Sequence, residues 1–453
     1  MRRILLLSLG IMVAIVLATG VFALVVFAPP ETSVFRPSGG GRANQQIRSV
    51  RVAGEDHSYP LYCVEFDDEG FYADPGQKTA VLDAVRGSIA SEADGADSGS
   101  RVNGTVILLY VHGLNHNARE EDDNVSCFGE LLDATAMMQR PRGVNVMGVY
   151  VGWPGLVYDN SNLNAVVAYL GREAAADRIA ERGDLLDLFT NVSRARHVSS
   201  SKHTRFVIIG HSLGGRAAYM ALRPIMQRSI DEGASSLRKR IADVTVFANP
   251  AFSAVEHSSL KRIMSTAAPV SNTIPRFIVL TSESDEVLRG AFQASQKLTS
   301  FFRGDYGLND PLRWTAAGHH LPYLTHDLRL EGSYSNPEGN GACPRLSANE
   351  LEIIKGKTRV RNEEELYNFA VIEHYANGKK AYQTTLRRVS GRAAGEAMVI
   401  QVDEKIIPNH NDVFTTPIVD FIVRVLNCGY YEAYCRETLA SLDEISEDGR
   451  TDQ

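Results

Sequence analysis

Apolar residues recur along this 453-residue chain in two rhythms, short unbroken runs and helical stripes, and the two alternate. Residues 61–66 read as a strand. Residues 78–91 follow with Val81, Leu82, Val85 and Ile89 on one side of a helix. Residues 106–111 are apolar without a break, the pattern of a strand buried on both faces. The alternation continues with a helix at 129–138, a strand at 144–151 and an Ala-rich helical segment within 163–189. A strand at 206–209 precedes a helix at 216–222, and further strands are expected at 244–248, 277–281 and 398–402 before a closing helix at 417–426. Strands alternating with helices predict an α/β fold with a mostly parallel, doubly wound sheet. Such a sheet places ligands beyond the carboxyl ends of its strands.

The rhythm fails between 289 and 396. Gly, Asn and Pro cluster around 333–344, acidic residues around 363–365, and Asn377-Gly378 is a hairpin signal. This stretch is expected to be a cap-like insertion over the mouth of the site, since no second linker isolates it.

The N-terminus differs from everything after it. Arg2 and Arg3 precede an apolar run from 4 to 28. That run is long enough to cross a bilayer, which takes ~20 residues, and longer than the ~7–15-residue apolar core of a cleaved signal peptide. The arginines should stay cytoplasmic, placing the remainder of the chain on the far side. Ala18, Thr19 and Gly20 interrupt the run, so a late-cleaved signal is the alternative to the favoured signal anchor. Residues 29–47, with Pro29, Pro30, Pro37 and three consecutive glycines, are expected to be a flexible linker. Residues 48–435 then form one domain and 436–453 a polar tail.

Charge and cysteine content change this picture only slightly. A formal net charge of -7 and the lack of a basic stripe give no reason to expect a nucleic-acid partner. Of the five cysteines, Cys428 and Cys435 are the nearest local pair for a disulfide in an oxidising compartment. No cysteine–histidine spacing suggests a metal, and neither metal nor cofactor is expected. His319, His320 and His326 crowd together without a ligand pattern and are read as surface or pocket residues.

Candidate chemistry lies at strand ends. Gly210-His211-Ser212-Leu213-Gly214 sits between the 206–209 strand and the 216–222 helix, the strand–turn–helix context of a nucleophile elbow. A serine hydroxyl is a weak nucleophile and must stand clear of the sheet beside a base. His112-Gly113-Leu114-Asn115 ends the 106–111 strand, so the backbone N–H groups of Leu114 and Leu213 are the candidate oxyanion donors. His410, in the loop between the last strand and the closing helix, is the candidate base, with His319, His320, His326 and His374 as rivals in the insertion. The acid should follow the 277–281 strand. Asp285 is favoured because the loop needs a few residues to turn back, with Glu283 and Glu286 left open. His320 and Trp153 are expected to line the substrate pocket.

Residues 110–118, 122–125 and 148–153, with Asn249-Pro250-Ala251-Phe252 and Pro322-Tyr323-Leu324-Thr325-His326, resemble an uncharacterised branch of the serine esterase/lipase α/β-hydrolase superfamily. The resemblance covers roughly 61–426. It implies an α/β-hydrolase fold, Ser212 as nucleophile and His410 as base, and it implies no substrate. Leu114 stands where relatives often carry an aromatic residue, which leaves its backbone role intact but alters the acyl pocket. The expectation is a membrane-tethered serine hydrolase acting on a small-molecule or lipid ester or thioester, its catalytic domain on the extracytoplasmic side. A non-catalytic binding domain and an amidase or peptidase on the same scaffold are the alternatives.

Overall fold

The computed structural model describes residues 34–36, 45–52, 55–94, 102–155, 165–201, 203–231, 241–258, 277–302, 310–332, 358–361, 369–376, 379–389 and 397–428. The apolar run 4–28, the tail 436–453 and Cys435 lie outside the described residues. Among the described residues no helix is long and apolar enough to cross a membrane.

The strands are β1 (Gln45–Val52), β2 (Glu55–Glu65), β3 (Gly104–Val111), β4 (Val144–Gly152), β5 (Arg205–His211), β6 (Val244–Ala248), β7 (Phe277–Ser282), β8 (His326–Glu331), β9 (Thr358–Arg361), β10 (Phe369–Ala376), β11 (Lys379–Arg388) and β12 (Ala397–Val402). They form one sheet in the order β1-β2-β4-β3-β5-β6-β7-β12-β8-β11-β10-β9. From β2 to β8 every pairing is parallel, while β1 and the β11-β10-β9 group run antiparallel to their neighbours.

The helices of ten or more residues among the described ones are α1 (Pro75–Asp94), α2 (Asp123–Gln139), α3 (Ala165–Glu181), α4 (Asp184–Arg196), α5 (Ser212–Asp231), α6 (Gln293–Phe302) and α7 (Thr416–Cys428). They cover both faces of the sheet. Alternate residues of β3 explain why its run is unbroken: Val106, Leu108 and Tyr110 face the core under α2 and α7, while Ile107, Leu109 and Val111 face the core under α1, α4 and α5.

Three sequence expectations are corrected. Residues 45–47, assigned to the linker, begin β1, which pairs with β2 along its whole length. Within that linker, Arg36 is buried and tied to the domain. The Ala-rich helical segment expected within 163–189 is α3, parted from α4 at Gly183, whose φ of 94° only glycine adopts readily. Finally, the insertion does not simply sit over the site. Its strands β8 to β11 extend the central sheet past β12, β10 and β11 forming the hairpin expected around Asn377-Gly378. His374 of β10 lies between Thr384 of β11 (2.9 Å) and Asp420 of α7 (3.2 Å), stitching the insertion to the main body. Burial raises the cost of ionising Asp420, but Arg424 and His374 more than offset it and hold its carboxyl below the usual range.

Cys63 is a buried free thiol, and Cys127 in α2 is disulfide-bonded. Its partner lies outside the described side chains. The expected Cys428–Cys435 pair lies outside the described side chains.

Candidate active site

β5 runs directly into α5, and the junction is Ser212. Its φ is +54°, a left-handed conformation that a residue with a Cβ occupies only when the surroundings enforce it. Two glycines make the turn feasible. A Cβ on Gly210 would come within 2.7 Å of the Gly215 Cα, and one on Gly214 would run into the carbonyls of Val111 and His112. The strand and helix therefore approach closely, and the serine side chain is projected from the carboxyl edge of the sheet.

Three side chains from three strand ends meet there. The Ser212 hydroxyl donates to His410 Nε2 at 2.7 Å, and His410 Nδ1–H donates to Asp285 Oδ2 at 2.7 Å. All three are buried. Asp285 accepts a second bond, from the Leu288 N–H, through its other oxygen at 2.9 Å. The other two candidate carboxylates point elsewhere: Glu283 pairs with Arg329 at 2.5 Å, and Glu286 is exposed.

The backbone around His410 is clamped from below. Its carbonyl accepts from Asn249 Nδ2 and from His211 Nε2–H, each at 2.9 Å. Ser282 and Ser284 hydroxyls hold the preceding carbonyls of Ile407 and Pro408 at 2.6 and 2.8 Å. Asn249 itself is strained, with φ +43°, and its Oδ1 accepts the Ser282 N–H at 2.8 Å. It thus links the ends of β6 and β7 to the histidine loop. Burial and the neighbouring His410 keep His211 neutral, its pKa well below the usual histidine range. A neutral ring with its proton on Nε2 is the form that this bond to the His410 carbonyl requires.

The loop after β3 carries the other half of the site. A Cβ on Gly113 would sit 2.9 Å from the Ser212 Cβ, so the backbone of this loop passes beside the serine. Leu114 follows, and its N–H makes no hydrogen bond among the described residues. Leu213 lies in the first turn of α5, where backbone N–H groups have no acceptor within the helix. Both donors are thus free to bind an anion beside Ser212.

The loop is locked by a polar network that accounts for the repeated His and Asn in its sequence. Asp122 caps α2 and accepts from Asn124 N–H, Asn117 N–H and His116 Nδ1 at 2.8–3.1 Å. Asn124 Nδ2 donates to His116 Nε2 at 2.8 Å, and Tyr110 donates to Asn124 Oδ1 at 2.5 Å. Asn115, at φ +67°, bonds the Gly155 carbonyl at 2.9 Å. His112 Nδ1–H donates to the Gly113 carbonyl at 2.8 Å, and its Nε2 accepts the Trp153 N–H at 3.0 Å. Burial lowers the His112 pKa to about 4, so the ring is neutral and its two nitrogens keep these opposite roles.

Of the two residues expected to line a substrate pocket, Trp153 is placed elsewhere. Trp153 is buried, stacks on His112 at 5.4 Å and donates its indole N–H to the His112 carbonyl at 2.8 Å. It braces the loop. His320 is half-buried and packs edge-on against Tyr323 at 4.6 Å. Its neighbour His319 is more deeply buried, and burial takes its pKa to about 4 against the opposing charge of Asp285. His326 bonds Thr325 at 2.8 Å within the sheet, and His374 serves the insertion's packing. The sequence reading missed the roles of Asn249 and His211. The one signal for Asn249 was its place at the carboxyl end of a strand, in a residue type that tolerates a left-handed backbone.

No family model and no curated protein matches this sequence. Solved structures similar to it include phospholipase PlaB from Legionella pneumophila, at 14% identity and a TM-score of 0.32, covering 76% of this chain and 63% of that one. This chain therefore spans less than two thirds of that phospholipase. A cutinase from Trichoderma reesei in complex with a phosphonate inhibitor matches at 15% identity and a TM-score of 0.21, over 48% of this chain and 80% of the cutinase. An uncharacterised protein from Pseudomonas aeruginosa matches at 13% identity and a TM-score of 0.21, over 52% and 41%. At these scores the likenesses carry no argument about chemistry.

Proposed function

We propose that this protein is a serine hydrolase of the α/β-hydrolase type that cleaves an ester or thioester through an acyl-enzyme. The observation that carries the reading is the unbroken Ser212–His410–Asp285 chain of hydrogen bonds, headed by a serine in a strained turn. Ser212 Oγ attacks the acyl carbonyl while His410 Nε2 takes its proton. Asp285 holds the imidazole tautomer and stabilises the imidazolium. The N–H groups of Leu114 and Leu213 stabilise the oxyanion. His410 then protonates the leaving group, and water activated by the same histidine releases the acid and restores Ser212. The tether is part of the proposal: 4–28 is a signal anchor and the catalytic domain is extracytoplasmic, a placement supported by the disulfide at Cys127.

A fluorescent fluorophosphonate tests the chemistry. The parent chain should label at one site and Ser212→Ala should not. Labelling that persists in a folded Ser212→Ala protein, or none in the parent, rejects the serine mechanism. Rates on matched ester, thioester and anilide substrates separate esterase from amidase activity.

A further inference from the structure

The first described residues lie where a tether would matter. Phe35 and Arg36 donate their backbone N–H groups to the Glu65 carboxylate at 2.9 and 2.8 Å, and Gln77 Nε2 bonds both Glu65 and the Arg36 carbonyl. Arg36 Nε donates to the Ala118 carbonyl at 2.7 Å, and Arg119 lies 4.8 Å over the Phe35 ring. Glu65 ends β2 opposite Gly152, the last residue of β4. Ala118 is in the loop that carries Leu114. This docking point is therefore at the carboxyl end of the sheet, the same end as Ser212. Along the order β2-β4-β3-β5 it lies three strands from the serine, about 14 Å at ~4.8 Å per strand.

Only six residue steps separate Ala28, the end of the apolar run, from Val34. However that segment folds, it reaches at most about 22 Å. A domain of about 400 residues has a radius of gyration near 21 Å and so a diameter of roughly 55 Å. The tether is too short to let the amino ends of the strands face the bilayer while the carboxyl ends face away.

We propose that the docked Phe35–Arg36 segment holds the carboxyl edge of the sheet toward the tethering bilayer, so that the substrates of Ser212 are acyl esters presented at that membrane surface. This deepens the hydrolase reading above and rests on it and on the anchor. An orientation fixed by a short, pinned tether raises the effective concentration of membrane esters and leaves soluble ones unaffected.

The test uses the full chain in phosphatidylcholine vesicles that carry an energy-transfer acceptor on the lipid headgroups. A donor dye is attached to Asn411→Cys, exposed beside the base, or to Val198→Cys, exposed at the amino end of β5. Transfer should be greater from position 411. Equal transfer from both dyes, the reverse order, or release of the chain from vesicles by alkaline carbonate overturns the proposal. A 20-residue Gly-Ser insertion after Pro30 should abolish the difference. It should also slow hydrolysis of a long-chain ester in the bilayer about ninefold, by the −3/2 power of tether length, with a water-soluble butyrate ester unchanged. A bilayer-ester rate that ignores the insertion counts against the proposal. Failure of the parent to cleave the butyrate ester would instead reject the hydrolase reading, while the transfer measurement still decides orientation.

Discussion

The three catalytic candidates should act as one unit. Ser212→Ala or His410→Ala should each lower kcat by on the order of 10^5–10^6, and the double variant should be little worse than either. Asp285→Asn should cost roughly 10^4, because an amide stabilises the wrong imidazole tautomer. Steady-state kinetics on an activated ester, with folding checked by circular dichroism, measures all four. Asn249 offers a finer test. Asn249→Asp keeps the size of the side chain, the acceptor for the Ser282 N–H and a tolerance for φ +43°, but it loses the donor to the His410 carbonyl. The displaced imidazole should lower kcat by roughly 10- to 100-fold with KM nearly unchanged. An Asn249→Asp enzyme with parental kcat would show that the His211 bond suffices to hold the loop.

Among the elements, α5 is held by more than its apolar face. Arg216, one turn beyond the serine, is buried against Asp177 and Glu173 of α3 and Glu256 of the loop after β6. Three carboxylates share one guanidinium. Burial pushes the Glu173 pKa up to about 7, with Arg216 opposing and Asp177 and Glu256 adding to the rise. The folded state therefore binds a proton that the unfolded chain releases near pH 4.5. Stability at this site is full below that value, falls as pH rises toward 7, and is flat beyond. Glu173→Gln should remove this dependence and melt a few degrees above the parent at pH 8, with little difference at pH 4.5. Thermal melts of both proteins across that interval are the check, and a parent that gains stability from pH 5 to 7 relative to the variant contradicts the assignment.

For the whole molecule, the disulfide at Cys127 is the covalent constraint to examine. Non-reducing peptide mapping should find Cys127 joined to a peptide carrying Cys343, Cys428 or Cys435, with Cys63 as a thiol. Cys127→Ser should destabilise the protein by about 2–4 kcal/mol, the usual range for closing a long loop, measured as a shift in denaturant midpoint. A fully reduced Cys127 in protein from an oxidising compartment would remove both that stabilisation and one support for an extracytoplasmic domain.

Local pattern carried far because βα alternation and the elbow are short-range properties. An unbroken run such as 106–111 has to be buried on both faces, and a serine between glycines at a strand–helix junction has few other uses. Those features were enough to order Ser212, Asp285 and His410 along the chain from the sequence alone. Contacts over long separations were not legible. Nothing in the text of Asn249 or His211 announces a bond to a carbonyl some 160 to 200 residues away. Trp153 looked like a pocket residue because aromatic residues serve pockets and cores alike, and only packing against His112 distinguishes the two. The insertion was read as a cap because edge strands pair with partners that the sequence does not identify. Its hairpin was visible, but joining the central sheet through β8 and β11 depends on hydrogen bonds that only the folded chain supplies.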